Sequence, residues 1–138
     1  MLVREIMTHK LESILPTASL CEAAQKMRDL KLGSLPVAED GKLIGMITDR
    51  DICCRGVADG FDAERTEVRE IMSRYISFCF SDDTVADAVR QMEEHHIRRL
   101  AVLNRDKTMA GFLSVDDLAH YSRQLAGEVL DSIRPTQH

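Results

Sequence analysis

Two segments share a pattern of residue types suited to binding a phosphorylated sugar. Residues 45–51 and 111–117 both read Gly-x-x-Thr/Ser-x-x-Asp, and in each a predicted strand runs into a predicted helix. A hydroxyl at a helix start lies beside unpaired amides and suits a phosphate, and a carboxylate one turn later suits the two hydroxyls of a ribose. The glycine would let a flat base approach the backbone. These side chains are Thr48 and Asp51 in the first segment and Ser114 and Asp117 in the second.

The same spacing is that of a helix capping box, in which a hydroxyl and an acidic side chain satisfy each other's backbone amides. A single copy therefore supports a structural role as readily as ligand binding. Two copies in register, each after a glycine-containing strand, favour ligand binding over a purely structural role.

The other reactive residues form no recognisable catalytic or metal-binding set. His95 and His96 would point about 100° apart on a helix, no second cluster has ligand spacing, and a helix C-terminus explains the pair better. No histidine has a defined relation to Ser114, and the neighbouring carboxylates of Asp116 and Asp117 diverge on a helix. We therefore predict no catalytic residues, no metal site and no enzymatic activity.

The four cysteines form no C-x-x-C pair and are too few for a disulfide scaffold. Cys21 and Cys79 lie in segments expected to face the core, and one of the adjacent Cys53 and Cys54 should face it too. Reduced thiols of this kind predict a cytoplasmic protein. A redox or metal sensor that uses Cys53, Cys54 and His95 is a weaker alternative.

An internal repeat positions the two motifs. Residues 3–7 recur identically as residues 68–72, and the spacing of 65 continues through both copies until one residue is gained near Thr108. The domains predicted from this repeat are 1–60 (repeat 1), 61–67 (linker), 68–124 (repeat 2) and 125–138 (C-terminal helix and tail). The short 3–7 arm is expected to pack against the other repeat.

Each copy predicts the order strand, helix, strand, strand, helix. Ser19 and Thr84 stand where helix N-caps are expected, before apolar residues at helical spacing. A sheet with helices on one side leaves its other face uncovered. The prediction is an α+β fold of two β-α-β-β-α units packed sheet to sheet as a pseudo-twofold pair. The predicted strands are residues 13–15, 34–38 and 43–48 in the first copy and 77–80, 99–103 and 109–114 in the second.

Composition excludes several functions. A net charge of -5, 4% aromatic residues and no tryptophan argue against nucleic-acid binding. No run approaches the ~20 apolar residues that a membrane helix requires, and the first residues lack the character of an export signal. Neither a nucleic acid nor a membrane is an expected partner. A stripe that continues through Leu125 and Val129 predicts a last helix that either caps the core or meets a partner helix.

Together these motifs make the chain resemble the tandem CBS domain, or Bateman module, over nearly all of residues 3–122. The resemblance rests on the repeated 3–7 and 68–72 openings, residues 35–37, residues 98–102 and the two Gly-x-x-Thr/Ser-x-x-Asp segments. It implies clefts that bind AMP, ADP, ATP or S-adenosylmethionine, and assembly as a homodimer.

The resemblance also assigns roles to residues. Asp51 and Asp117 would hold ribose, Thr48 and Ser114 would contact phosphate, and the strands near Ile14 and Cys79 would wall the base. Arg98 and Arg99, which stand where the first copy has Gly33 and Ser34, would grip phosphate. The second motif should therefore prefer phosphorylated ligands, with Arg50 as a partial substitute in the first. The alternative for the two arginines is a solvated strand edge.

The resulting hypothesis is a non-catalytic sensor of adenine nucleotides, with no obligatory cofactor and an unidentified protein target. The alternative is a protein-interaction or dimerisation module whose clefts are vestigial.

Overall fold

The structure is a computed structural model that describes residues 1–9 and 12–133. The chain forms two compact units: unit I contains residues 12–76, and unit II contains the described residues of 1–11 and 77–138. Both units combine helices and strands, so the predicted α+β class is confirmed. Within the described ranges, no helix has both the length and the apolar character needed to cross a membrane.

Unit I is built on an antiparallel hairpin. Its strands pair from Ser34 opposite Thr48 to Glu39 opposite Lys42. Both turn residues, Asp40 (φ 54°) and Gly41 (φ 77°), are left-handed, the geometry that matches the twist of a two-residue hairpin. Its elements are α1 (Leu20–Leu30), β1 (Ser34–Glu39), β2 (Lys42–Thr48), α2 (Asp49–Asp51), a π-helix (Ile52–Val57) and α3 (Val68–Ile71).

Unit II contains a three-stranded sheet in the order β3-β4-β5, with β3 parallel to β4 and β4 antiparallel to β5. Its elements are a 3₁₀ turn (Val3–Glu5), β3 (Phe78–Phe80), α4 (Val85–His95), β4 (Arg99–Leu103), β5 (Met109–Ser114), α5 (Val115–Tyr121) and α6 (Arg123–Ile133).

The predicted helix starts are confirmed. Ser19 Oγ accepts the Glu22 N–H at 3.0 Å, and Thr84 Oγ1 accepts the Asp87 N–H at 3.2 Å. Each helix then runs for 11 residues and ends at a left-handed residue, Lys31 or His96. The two copies therefore begin and end their first helix in the same way.

The predicted first strands form unequally. Residues 78–80 are a strand, whereas residues 13–15 give only a bridge, in which Ile14 donates to the Pro36 carbonyl and accepts from the Ala38 N–H, both at 3.0 Å. Pro16 has no N–H to continue a ladder, which explains why the first copy stops there.

The two sequence repeats exchange their opening segments. The Val3 N–H donates to the Asp83 carbonyl at 2.9 Å, and Thr8 pairs with Phe112. In unit I, the Val68 N–H donates to the Ala18 carbonyl at 2.8 Å. The prediction that the 3–7 arm packs against the other repeat is confirmed. The compact units therefore differ from the sequence repeats in their first residues, and the domain boundaries given above stay a prediction.

Each unit has its own apolar cluster. Apolar strand residues contribute fully buried side chains to both clusters, whereas Ile44 is partly buried and Phe112 lies half-buried outside either cluster. The buried ones are Leu35, Val37 and Ile47 in unit I and Leu100, Val102 and Leu113 in unit II.

The last helix caps the core of its own unit. Ala126 and Val129 on α6 are buried in the unit II cluster, and Leu125 packs against it. Of the two predicted roles for the last helix, capping the core and meeting a partner helix, the buried face of α6 has the first. The predicted tail at residues 134–138 lies outside the described residues.

Candidate functional site

Ser114 and Asp117 form a reciprocal capping box where β5 enters α5. Ser114 Oγ accepts the Asp117 N–H at 3.2 Å. In return, Asp117 Oδ2 accepts from the Ser114 N–H at 2.9 Å and from the Ser114 hydroxyl at 3.1 Å. The spacing therefore has the structural role that the sequence suggested. It also fixes both side chains in one orientation at the end of the sheet.

Thr8 completes this arrangement from the other end of the chain. Its hydroxyl donates to Asp117 Oδ1 at 2.8 Å. Its backbone forms two hydrogen bonds with Phe112, of 2.8 and 2.9 Å. The sequence analysis missed Thr8, although a signal was present: at the repeat spacing of 65, Thr8 corresponds to Ser73, so both openings are followed by a hydroxyl.

Protein backbone lies on the side of the motif glycines where a Cβ would stand, and the approach of a base to these glycines stays a prediction. A Cβ on Gly111 would lie 2.2 Å from the Thr8 carbonyl oxygen, and one on Gly45 would lie 2.9 Å from the Ser73 carbonyl oxygen. The exchanged opening segment takes the space beside each glycine. Glycine is required here because another backbone approaches closely.

Arg98 and Arg99 lie beside Ser114 because α4 ends just before them. The Val115 N–H donates to the Arg98 carbonyl at 3.0 Å, which ties the start of α5 to the start of β4. Arg99 is the register partner of Ser114, and its guanidinium lies 5.7 Å from the centre of the Phe112 ring. The structure thus brings Arg98 and Arg99 beside Ser114, which lies 16 and 15 positions further along the chain.

These residues surround a cavity of about 280 Å³, which we call the arginine cavity. Two guanidinium groups and one carboxylate give its lining a net positive charge. Asp117 is held against the lining through Ser114. The six lining residues are Arg98, Arg99, Ser114, Val115, Asp116 and Leu130.

In unit I, the corresponding box is closed in the same way. Thr48 Oγ1 accepts the Asp51 N–H, and Asp51 Oδ2 accepts the Thr48 N–H, both at 3.0 Å. The second carboxylate oxygen differs, because Asp51 Oδ1 faces Arg55 at 3.8 Å. Ser73, the counterpart of Thr8, instead donates its hydroxyl to the Tyr75 carbonyl at 3.3 Å.

The corner beside this box contains the carboxylate of Asp49. The Asp49 N–H donates to the Gly33 carbonyl at 2.9 Å, which matches the Val115–Arg98 bond of unit II. The Asp49 carboxylate lies 3.4 Å from the point where a Gly33 side chain would begin, and it accepts the Arg50 N–H at 2.8 Å. Unit I therefore places a carboxylate beside the position that carries Arg98 in unit II.

The sequence matches the model of the CBS domain twice, at residues 3–55 and 68–124. The chain belongs to the CBS domain family. The two matches correspond to the repeats found in the sequence. Tandem CBS pairs are regulatory modules, and CBS domain proteins are in general not catalytic.

Two CBS relatives resemble the chain over most of its length. The CBS domain-containing protein YhcV of Bacillus subtilis is 35% identical over 133 residues, which cover 95% of this chain and 94% of that protein. Hypoxic response protein 1 of Mycobacterium tuberculosis is 31% identical over 119 residues, which cover 86% and 82%.

Solved CBS structures share the fold. Hypoxic Response Protein I, solved with two coordinated zinc ions, has a TM-score of 0.79 at 30% identity and covers 88% of this chain and 98% of its own. The CBS domain pair of MJ0100, solved with 5'-methylthioadenosine and S-adenosyl-L-methionine, has a TM-score of 0.76 at 23% identity and covers 90% and 97%.

The two residues expected to wall a base lie deep in their CBS units. Ile14 is 8% exposed and Cys79 is 2% exposed. Cys79 pairs with Val102 in the sheet, and burial, together with nearby Asp83, raises the pKa of its thiol to about 12. The structure does not bring either side chain into the lining of the arginine cavity. Their role as base walls stays a prediction.

The remaining cysteines and histidines have mainly structural positions. Both Cys53 and Cys54 are exposed, so the prediction that one faces the core is wrong; in the π-helix that contains them, the buried residue is Gly56. Cys21 is half-buried. His95 ends α4, and His96 Nδ1 lies 2.7 Å from the Ser132 carbonyl oxygen, as expected for a helix end. Across residues 1–9 and 12–133, no three His, Cys, Asp or Glu side chains form a group that could hold a metal.

Proposed function

We propose that this CBS pair is a regulatory module that binds an adenine nucleotide, with the arginine cavity as its principal phosphate site. The observation that carries the proposal is the convergence of Arg98, Arg99 and Ser114 on one cavity. The proposed ligands are AMP, ADP or ATP, with S-adenosylmethionine as the phosphate-free comparison, because it shares the adenosine and lacks the phosphates.

The charge of the cavity suits a phosphate. Arginine side chains present paired N–H donors that match phosphate oxygens, and such charge-assisted bonds are stronger than neutral ones. The Asp116 carboxylate in the same lining opposes a purely anionic ligand. It suits a ligand that also carries hydroxyl or amino donors, as a nucleotide does.

Asp117 is the proposed ribose contact. Its carboxylate is already oriented by the Ser114 N–H and by the Thr8 hydroxyl. A carboxylate has about four lone-pair positions, two on each oxygen. Oδ2 already accepts two hydrogen bonds and Oδ1 accepts one, so Oδ1 keeps capacity for a sugar hydroxyl. Asp51, whose side chain is 19% exposed, is the proposed counterpart in unit I for a ligand without phosphate.

We extend the proposal to the setting of the protein. A ligand shifts a conformational equilibrium only through its different affinities for the two states, so a sensor requires an assembly or target that responds. A homodimer and a protein target fill that role here. The four free cysteines fit a reducing compartment, which supports a cytoplasmic location.

Calorimetric titration with AMP, ADP, ATP and S-adenosylmethionine tests the proposal. Replacing Arg98 with alanine should weaken nucleotide phosphate binding about 10- to 100-fold, the effect of losing a charged hydrogen bond. Arg65→Ala, which removes an exposed arginine of unit I that does not line the cavity, is the control and should leave the affinity unchanged. Asp117→Asn should weaken every adenosine ligand, including S-adenosylmethionine.

A folded sample that binds none of the four ligands would contradict the proposal. That result would favour the protein-interaction module instead, and a melting temperature that rises with zinc alone would favour a metal sensor. Equal losses for Arg98→Ala and Arg65→Ala would show that the arginine cavity is not the phosphate site.

A further inference from the structure

The arginine cavity contains one residue from outside both CBS repeats. Leu130 belongs to α6, and the second family match ends at residue 124. Leu130 is 44% exposed, although Ala126 and Val129 on the same helix are at most 5% exposed. It therefore lies at the edge of the buried face of α6, with an apolar surface turned towards the charged residues of the cavity.

The position of Leu130 is fixed by its helix. Val129, its neighbour, is fully buried in the unit II cluster, and Ile133 packs against the same cluster. The Ser132 carbonyl accepts a hydrogen bond from His96 Nδ1 at 2.7 Å, which joins this end of α6 to the end of α4. Because Arg98 follows two residues after His96, the same corner positions both the cation and the leucine.

We propose that Leu130 is a specificity-determining residue of the arginine cavity, and that it packs against the uncharged part of a bound nucleotide. This inference rests on the function proposed above. The arginines recognise phosphate in any ligand, whereas an apolar wall beside them favours a phosphate that carries a nucleoside over a bare polyphosphate. The CBS repeat supplies the charge, and the added helix supplies the selectivity.

Comparing ATP with inorganic tripolyphosphate in calorimetry tests this role. Leu130→Ala should weaken ATP binding about three- to tenfold, the effect of losing the exposed part of a leucine as a contact. It should leave tripolyphosphate binding unchanged, because the arginines remain. Leu130→Met keeps the apolar volume and should restore ATP binding. Glu128→Ala changes an exposed residue of α6 outside the lining and serves as the control.

Three results would overturn the inference. If Leu130→Ala leaves ATP affinity unchanged while Arg98→Ala weakens it, the nucleotide site stands and Leu130 is not part of it. If Leu130→Ala weakens ATP and tripolyphosphate equally, the leucine acts only by holding the arginines. If the wild-type protein binds neither ATP nor tripolyphosphate, the function proposed above fails as well. This differs from the first result, in which the wild type binds ATP and Arg98→Ala weakens that binding.

Discussion

The two CBS units use the same capping box beside corners that carry different side chains. In unit II, Arg98 and Val115 meet at the corner, and in unit I the corresponding residues are Gly33 and Asp49. The backbone bond that ties the corner together is conserved between the units, at 3.0 and 2.9 Å. The backbone framework is therefore the same in both units, while the side chains at the corner differ.

A second difference concerns what supports each aspartate. Asp117 is held by the hydroxyl of Thr8, and Asp51 faces Arg55. The support of Asp117 comes from residues 109 positions away, whereas that of Asp51 comes from the next helical turn. The unit II motif thus depends on tertiary structure, and the unit I motif is largely local.

The largest expected effect is on stability and falls on the glycines. Gly111→Ala should destabilise the protein by about 2 to 4 kcal/mol, because the new Cβ overlaps the Thr8 backbone and disrupts two hydrogen bonds. Gly45→Ala should cost less, since its nearest neighbour is the flexible Met72 side chain. Urea unfolding measures both, and an equal cost would show that the two openings are held alike.

The next effect is on the pH dependence of stability, and it is confined to unit II. Because burial and Asp83 raise the pKa of Cys79 to about 12, the folded state keeps the thiol protonated where the unfolded state has lost the proton. That stabilisation is complete below about pH 8.5 and is lost as the pH rises towards 12. Ile14 at the corresponding place in unit I cannot titrate.

Cys79→Val should therefore reduce the loss of unfolding free energy between pH 7 and pH 10 by about 1 to 2 kcal/mol. Urea unfolding under reducing conditions at both pH values measures it. Cys53→Val, at an exposed thiol, is the control, and an identical pH dependence in wild type and Cys79→Val would contradict the prediction.

The smallest expected effect is a gain of ligand binding. Gly33→Arg combined with Asp49→Val gives unit I the corner residues of unit II. We expect the affinity of unit I for ATP to rise about five- to tenfold, the gain from one modest charged contact. Calorimetry of this variant in an Arg98→Ala background isolates unit I. Asp59→Arg, at an exposed position in the same unit, changes the net charge by the same amount and is the control. No gain over that control would show that the corner does not set the preference.

The sequence predicted what depends on local spacing. Ser19, Thr84, Thr48 and Ser114 cap helices in the structure because a hydroxyl and an amide three residues later are placed together by any helix start. The repeat predicted the fold class and the packing of the 3–7 arm against the other repeat, because two copies of one unit can pack in only a few ways.

What the sequence did not show depends on distant contacts or on variable positions. Thr8 meets Asp117 only after folding, so its role could be noticed only by extending the repeat one residue further. Asp49 and Val115 occupy an x position of the Gly-x-x-Thr/Ser-x-x-Asp motif, which any residue type can fill. The difference between the copies there becomes meaningful only when the structure shows that both residues lie at the corner. The exposure of Cys53 and Cys54 follows from a π-helix, which ordinary helical periodicity does not anticipate.

The exchange of opening segments has a consequence for synthesis. Unit I has all its residues once position 76 has left the ribosome. The first residues of the chain, by contrast, must wait for Asp83 and then for Phe112 before their backbone groups find partners. The N-terminal segment of unit II is thus made first and docked last, and all of unit I lies in the chain between that segment and its partners.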